Sequence, residues 1–142
     1  MSGIKVKDLI TRPPLGVQKG TRTIDAVKVM VQNNVGSVLI MDGDKAVGIF
    51  TERDLLRAVA RCEDLNKPVE ELGTYGKLIA IKDTDTVGKA AQLMHEYNIR
   101  HLVVVNDHDK VIGVISIRDI INEKHILSIL STKIEEEWVG GD

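Results

Sequence analysis

Gly48-Ile49-Phe50-Thr51-Glu52-Arg53-Asp54 returns later in the chain as Gly113-Val114-Ile115-Ser116-Ile117-Arg118-Asp119, with glycine, hydroxyl, arginine and aspartate in the same places. The shift is 113 − 48 = 65 residues. In each copy an apolar run leads to the hydroxyl residue and an apolar pair follows the aspartate, Leu55-Leu56 or Ile120-Ile121. That pattern predicts a strand, a tight turn and a helix. A hydroxyl with an acid three places on is close to a capping box, in which the side-chain oxygen accepts from the orphan N–H groups of a new helix; the acid here is Asp rather than Glu or Gln. The same helix start, with free donors and a partial positive charge, also suits a phosphate. A cap does not require Arg53 and Arg118, and these two turn the motif toward an anion.

Upstream of the first copy, Ala26, Val27, Met30 and Val31 recur at helical spacing and Asn33-Asn34 mark the end of that helix. Val35 to Met41 reads as a buried strand, Asp42-Gly43-Asp44 as a hairpin turn and Ala46 to Phe50 as the partner strand. The whole unit then repeats: Ala26 answers to Ala90, Met30 to Met94, Val35 to Ile99, and Val38-Leu39-Ile40 to Leu102-Val103-Val104, at a shift of 90 − 26 = 64. The extra residue falls in the second hairpin turn, Asn106-Asp107-His108-Asp109, where insertions are tolerated. Short helical turns, Val6-Lys7-Asp8-Leu9 and Val69-Glu70-Glu71-Leu72, head the two units, and polar Glu63 to Pro68 connects them. The expected division is 4–66, 67–130 and a tail, 131–142, made of a helix end and a frayed terminus. Leu127, Leu130, Ile134 and Trp138 predict a C-terminal helix over His125 to Trp138 that covers the chain's own core, with a partner-binding helix as the alternative that Trp138 keeps open. Each half has too little apolar surface to stand alone. The halves are therefore expected to pack as pseudo-symmetric α/β units, with Val38, Ile40, Leu102 and Val104 buried together and the site between them.

The chain has 142 residues, 43% of them hydrophobic but only 3% aromatic, so its core is aliphatic. A formal net charge of −2 gives no electrostatic case for nucleic acid. Cys62 is the single cysteine, which excludes an intrachain disulfide and suits a reducing compartment. The first residues lack the apolar segment of a secretory signal, and no apolar run approaches the roughly eighteen residues of a membrane span, so the expected location is cytoplasmic. His95, His108 and His125 have no acid and nucleophile at catalytic spacing, and no metal-ligand set, Walker loop or dinucleotide fingerprint occurs. No catalytic or metal-binding residues, and no enzymatic activity, are expected.

Two carboxylates, two arginines and two hydroxyls remain at two helix starts. Arg100-His101 joins them at the mouth of the second buried strand, where the first half has Gly36-Ser37. A carboxylate accepts from both hydroxyls of a ribose diol, while guanidinium and helix N–H groups favour phosphate. Such a set describes a nucleotide site without a reaction centre.

Two units ending in Gly-apolar-apolar-Thr/Ser-x-Arg-Asp, each with an earlier Ala-x3-Met helix and a strand start, Val35-Gly36-Ser37-Val38 or Ile99-Arg100-His101-Leu102, resemble a tandem pair of cystathionine β-synthase (CBS) domains from about Ile4 to Lys124. The resemblance implies an α/β fold in which a β-α-β-β-α unit is used twice, one module with two clefts, and association into disc-shaped homodimers. It implies adenosine ligands, AMP, ADP, ATP or S-adenosylmethionine, with no required cofactor. Carried over by position, Asp54 and Asp119 would hold ribose hydroxyls, and Thr51 and Ser116 would meet phosphate or ribose. Arg53, Arg118, Arg100 and His101 would face phosphates, and backbone around Ser37 and His101 would line the adenine pocket. Thr21 and Asp85 occupy the family position before the first helix of each unit, although Asp85 stands where a hydroxyl is frequent. Val103 stands where proline often follows the His-Leu pair. The function implied is a regulatory module that senses an adenosine ligand and signals to a partner chain, since no effector domain is recognisable. The alternative is a ligand-independent dimerisation module whose motifs are only caps.

Overall fold

The computed structural model describes residues 3–76 and 78–121. The first unit runs β1 (Gly16–Gln18), α1 (Thr23–Asn33), β2 (Ser37–Asp42), β3 (Lys45–Thr51) and α2 (Glu52–Ala60). After α3 (Val69–Leu72) and β4 (Thr74–Tyr75), the second repeats the order as β5 (Ala80–Lys82), α4 (Val87–Tyr97), β6 (His101–Val105), β7 (Val111–Ser116) and α5 (Ile117–Ile121). The β-α-β-β-α unit is thus present twice. The expected C-terminal helix over His125 to Trp138, and the tail 131–142, lie outside the described residues.

Both sheets follow one plan. β1 pairs parallel with β2 and β2 antiparallel with β3, as β5, β6 and β7 do among themselves. The register slips at Ile40/Met41 in one sheet and at Val104/Val105 in the other. Both α1 and α4 end at an asparagine in the left-handed conformation, Asn34 at φ 53° and Asn98 at φ 51°, a state that Asn tolerates better than most side chains. In the second hairpin Asn106 Oδ1 accepts from His108 N and Lys110 N, which holds the longer turn.

The central strands are covered on both faces, so they read as continuous apolar runs. Alternation along a strand then divides them. Val38 and Ile40 join Ala26, Met30, Phe50 and Val69 in one core, while Leu102 and Val104 join Val6, Ala90, Met94 and Ile115 in another. The four strand residues are all buried, but in two cores rather than together, because each sheet buries that face under its own helix. Leu39 and Val103, also buried, alternate to the opposite face.

The short lead-in turns are exchanged between these cores. Val6 belongs to the core of the second unit and Val69 to that of the first, and both are fully buried. Matching hydrogen bonds fasten them: Val6 N donates to Asp85 O at 2.8 Å and Val87 N to Ile4 O at 2.9 Å, while Val69 N donates to Thr21 O at 2.8 Å and Thr23 N to Lys67 O at 2.9 Å. β4 continues the exchange as a fourth strand beside β3, with Gly48 opposite Tyr75 and Ile49 opposite Thr74. Ile10 lies over Gly113 in the corresponding place. A Cβ on Gly48 would run into the Thr74 carbonyl, and one on Gly113 would meet Ile10 Cγ2 at 3.1 Å, which explains the repeated glycine of the motif. Each sequence half therefore completes the fold of the other.

Candidate functional site

The capping box is complete in both copies of the motif, with aspartate as its acid. Thr51 N and Thr51 Oγ1 donate to Asp54 Oδ2 at 2.9 and 3.1 Å, and Asp54 N donates back to Thr51 Oγ1 at 3.3 Å. Ser116 and Asp119 repeat these bonds at 2.8, 3.2 and 3.2 Å. Glu52 N donates to Gly36 O at 3.1 Å and Ile117 N to Arg100 O at 2.8 Å, tying each helix start to the strand mouth of its own unit. The hydroxyls expected at phosphate or ribose thus already hold the caps.

Capping uses one oxygen of each carboxylate. Asp54 is buried, at 6% exposure, and its other oxygen, Oδ1, lies 3.5 Å from Arg57 Nη1. At the shift of 65 residues Arg57 answers to Asn122, which carries no charge. Among the described residues, Asp119 Oδ1 has no hydrogen-bond partner, and Asp119 is half-buried.

Two clefts form where the units meet. The Asp119 cleft sets Val114, Ser116, Ile117, Arg118 and Asp119 against Asn34 to Ser37 and the extended Thr11 to Leu15 of the other unit. The Asp54 cleft sets Ile49, Thr51, Arg53, Asp54 and Arg57 against Asn98, Ile99, Leu78, Ile79 and Val103. In both, the motif of one unit faces the helix end and strand mouth of the other. Apolar walls of Pro14, Leu15, Val35 and Val114, or of Ile49, Leu78, Ile79 and Ile99, suit a flat base beside the polar motif. Glu52, Arg100 and His101 line both clefts.

The arginines divide by partner. Arg53 Nη1 donates across the units to Asn98 O at 3.0 Å, and Arg12 Nη1 donates to Asn33 O at 2.9 Å, so each sits at the negative end of a long helix. Arg53, which capping left unaccounted for, therefore has a structural role. Arg118 is exposed at the Asp119 cleft.

His101 is half-buried, opens β6 opposite Ser116, and has its pKa pushed below the ordinary 6.5 chiefly by burial; Glu52, Asp119 and Asp54 oppose the shift and Arg118 adds to it. Ser37, Thr51, Arg53, Asp54, Arg100, His101, Ser116, Arg118 and Asp119 all line the clefts. Thr21 and Asp85 line neither. Their carbonyls receive the exchanged lead-ins, and the Asp85 carboxylate accepts from Lys82 N at 3.2 Å and pairs with Lys89 Nζ at 3.4 Å. Sequence reasoning passed over Arg12, Glu52 and Arg57. The variable place inside the motif, Glu52 against Ile117, was the signal available for one of them.

Each cleft thus offers an anchored carboxylate, cationic neighbours and an apolar wall, which together suit a ribose, a phosphate and a base. Among the described residues no cluster of three or more His, Cys, Asp or Glu is placed to hold a metal ion, and no helix is long and apolar enough to cross a membrane.

The family model of the CBS domain matches residues 6–61 and 69–126. A CBS domain protein from Pyrobaculum aerophilum, solved in complex with AMP, is 36% identical and superposes with a TM-score of 0.79 over 91% of this chain and 99% of its own. The CBS domain pair of protein MJ0100, solved with 5′-methylthioadenosine and S-adenosyl-L-methionine, is 31% identical with a TM-score of 0.73 over 82% of this chain and 91% of that one. The L-aspartate semialdehyde sulfurtransferase of Methanocaldococcus jannaschii is 32% identical over 116 residues, 81% of this chain but only 22% of that enzyme.

Proposed function

The chain belongs to the CBS domain family, and from that premise we propose that it is a regulatory module that binds an adenosine ligand between its two units and signals occupancy to a partner chain. AMP, ADP, ATP and S-adenosylmethionine are the candidate ligands, and the role is binding rather than catalysis. The observation that carries this reading is the pair of aspartates, each fixed through one oxygen by a capping box and placed in a cleft opposite the other unit. Asp119 and Asp54 accept ribose hydroxyls, Arg100, Arg118 and His101 face phosphate, and the apolar walls receive adenine. The relatives solved with AMP and with adenosyl ligands support it. A ligand straddling the units changes how firmly they are held together, which gives a partner something to read.

The reading includes a homodimer. Val31 on α1 and Leu56 and Val59 on α2 are 75%, 71% and 59% exposed, an apolar helical surface that a second copy would cover.

A second reading, a dimerisation module without a ligand, is favoured by one observation: both motifs satisfy their helix starts with their own side chains. A thermal-shift series with AMP, ADP, ATP and S-adenosylmethionine separates the two. At about one hundred times its dissociation constant a true ligand stabilises the fold by roughly 2.7 kcal/mol, whereas the second reading predicts no shift with any of them.

A further inference from the structure

The two clefts share one carboxylate that has no counterpart in the repeat. Glu52 lines both of them, whereas Ile117, which answers to it in the second motif, lines only the Asp119 cleft. The backbone of Glu52 is anchored, while its side chain is exposed and makes no hydrogen bond or ion pair among the described residues. Glu52 N is bonded to Gly36 O, and Gly36 leaves the room its side chain occupies: a Cβ built there would stand 2.6 Å from Glu52 Oε1 and 3.5 Å from His101 Nε2. The carboxylate and the imidazole thus converge on one point, where the clefts meet. At that range Glu52 is the foremost of the charges that oppose the lowered pKa of His101.

Glu52 offsets part of the positive charge of both clefts, since an arginine bonded to a carbonyl keeps its charge. Arg12 and Arg53 are bonded to helix-end carbonyls and Arg57 to Asp54, so among the described residues Arg100 and Arg118 are the lining arginines without such a bond. We propose that Glu52 tunes the ligand class of both clefts, weakening polyphosphates by charge relative to adenosine ligands carrying one phosphate or none. The proposal deepens the adenosine reading and rests on it.

Calorimetric titration of the full chain with adenosine, AMP, ADP and ATP, at low salt and without divalent cations, forms a charge ladder. Glu52→Gln removes the repulsion, at roughly twofold in affinity per ligand charge. The expected gain is therefore none for adenosine, about fourfold for AMP, about eightfold for ADP and about sixteenfold for ATP. Magnesium shrinks the ATP gain by neutralising the triphosphate. Glu52→Asp keeps the charge and stays within about twofold of wild type on every rung, which separates electrostatics from any disturbance of α2. A gain that is equal on all rungs, or absent while wild type binds, overturns the assignment of Glu52 and leaves the adenosine reading standing. Failure of wild type to bind any of the four compounds overturns both.

Discussion

Arg53 of the first unit donates from Nη1 to the carbonyl oxygen of Asn98 in the second at 3.0 Å, so a residue of the repeated motif fastens one half of the molecule to the other. Asn98 ends α4 in the left-handed conformation, where helix carbonyls run out of internal donors. Replacing Arg53 by Ala is predicted to cost about 1 kcal/mol in urea denaturation. Arg118→Ala, at an exposed position, costs less than about 0.5 kcal/mol. Equal losses for the two variants would contradict the distinction between a fastening arginine and a ligand-facing one.

The exchanged lead-ins make a second prediction. Val6 and Val69 are fully buried, each in the core of the other sequence half. Truncation to Ala removes two methyl groups and leaves a cavity, so each variant is expected to lose about 1.5–3 kcal/mol. Lys45→Ala on the exposed β2–β3 hairpin stays within about 0.5 kcal/mol. Because the cores are interlocked, both core variants unfold in one transition. Separate melting of the two halves would show that they do not depend on each other.

His101 gives a pH prediction whose sign follows from burial. Its pKa in the fold lies below that of the unfolded chain, so the unfolded state takes up the proton first as pH falls. The stability it contributes is present above pH ~6.5 and is lost as pH falls through the lower folded value. His101→Gln should flatten this part of the stability profile between pH 7.5 and 5. Phosphate beside the ring favours its charged form, so near pH 6 wild type should take up more protons on binding AMP than His101→Gln does, the AMP phosphate itself titrating alike in both. Proton uptake is read from calorimetry in buffers of different ionisation enthalpy, and the same uptake in both proteins would place the phosphate elsewhere.

Arg57 occupies the outer oxygen of Asp54, and nothing of that charge stands at the corresponding position 122. A half-exposed ion pair of this kind is worth about 0.2–1 kcal/mol, so a ribose must displace a weak competitor. On an Asp119→Ala background, Arg57→Gln is predicted to raise affinity for adenosine by about two- to fivefold. Adenosine isolates the ribose contact from any phosphate that Arg57 attracts. Unchanged or weaker adenosine binding would remove Arg57 from the account.

The repeat was legible because it is written in residue types with physical consequences: glycine where a neighbouring chain passes, hydroxyl and acid where a helix starts, asparagine where one ends. The sequence marked Val6 and Val69 as the starts of two similar short turns but carries no information about which core receives them, so the exchange of lead-ins was invisible. The same holds for Thr21 and Asp85, whose carbonyls serve that exchange while their side chains stay away from the clefts. Arg53 read as an anion-binding residue because Asn98, 45 positions away, gives no sign in one dimension that its carbonyl needs a donor. Glu52 was passed over because the reading weighed what the two motifs share, and its effect lies in what they do not.

The central claim, that the paired aspartates anchor an adenosine ligand, is tested most directly by calorimetric titration of wild type, Asp54→Ala and Asp119→Ala with AMP. A lost charged acceptor is worth about 1.5–3 kcal/mol, so Asp119→Ala should weaken binding by roughly ten- to a hundredfold. Asp54→Ala should weaken it less, since Asp54 already pairs with Arg57. Loss of the cap should cost each unliganded variant only about 1 kcal/mol of stability. If both variants bind AMP as wild type does, the aspartates are helix caps and the account is wrong.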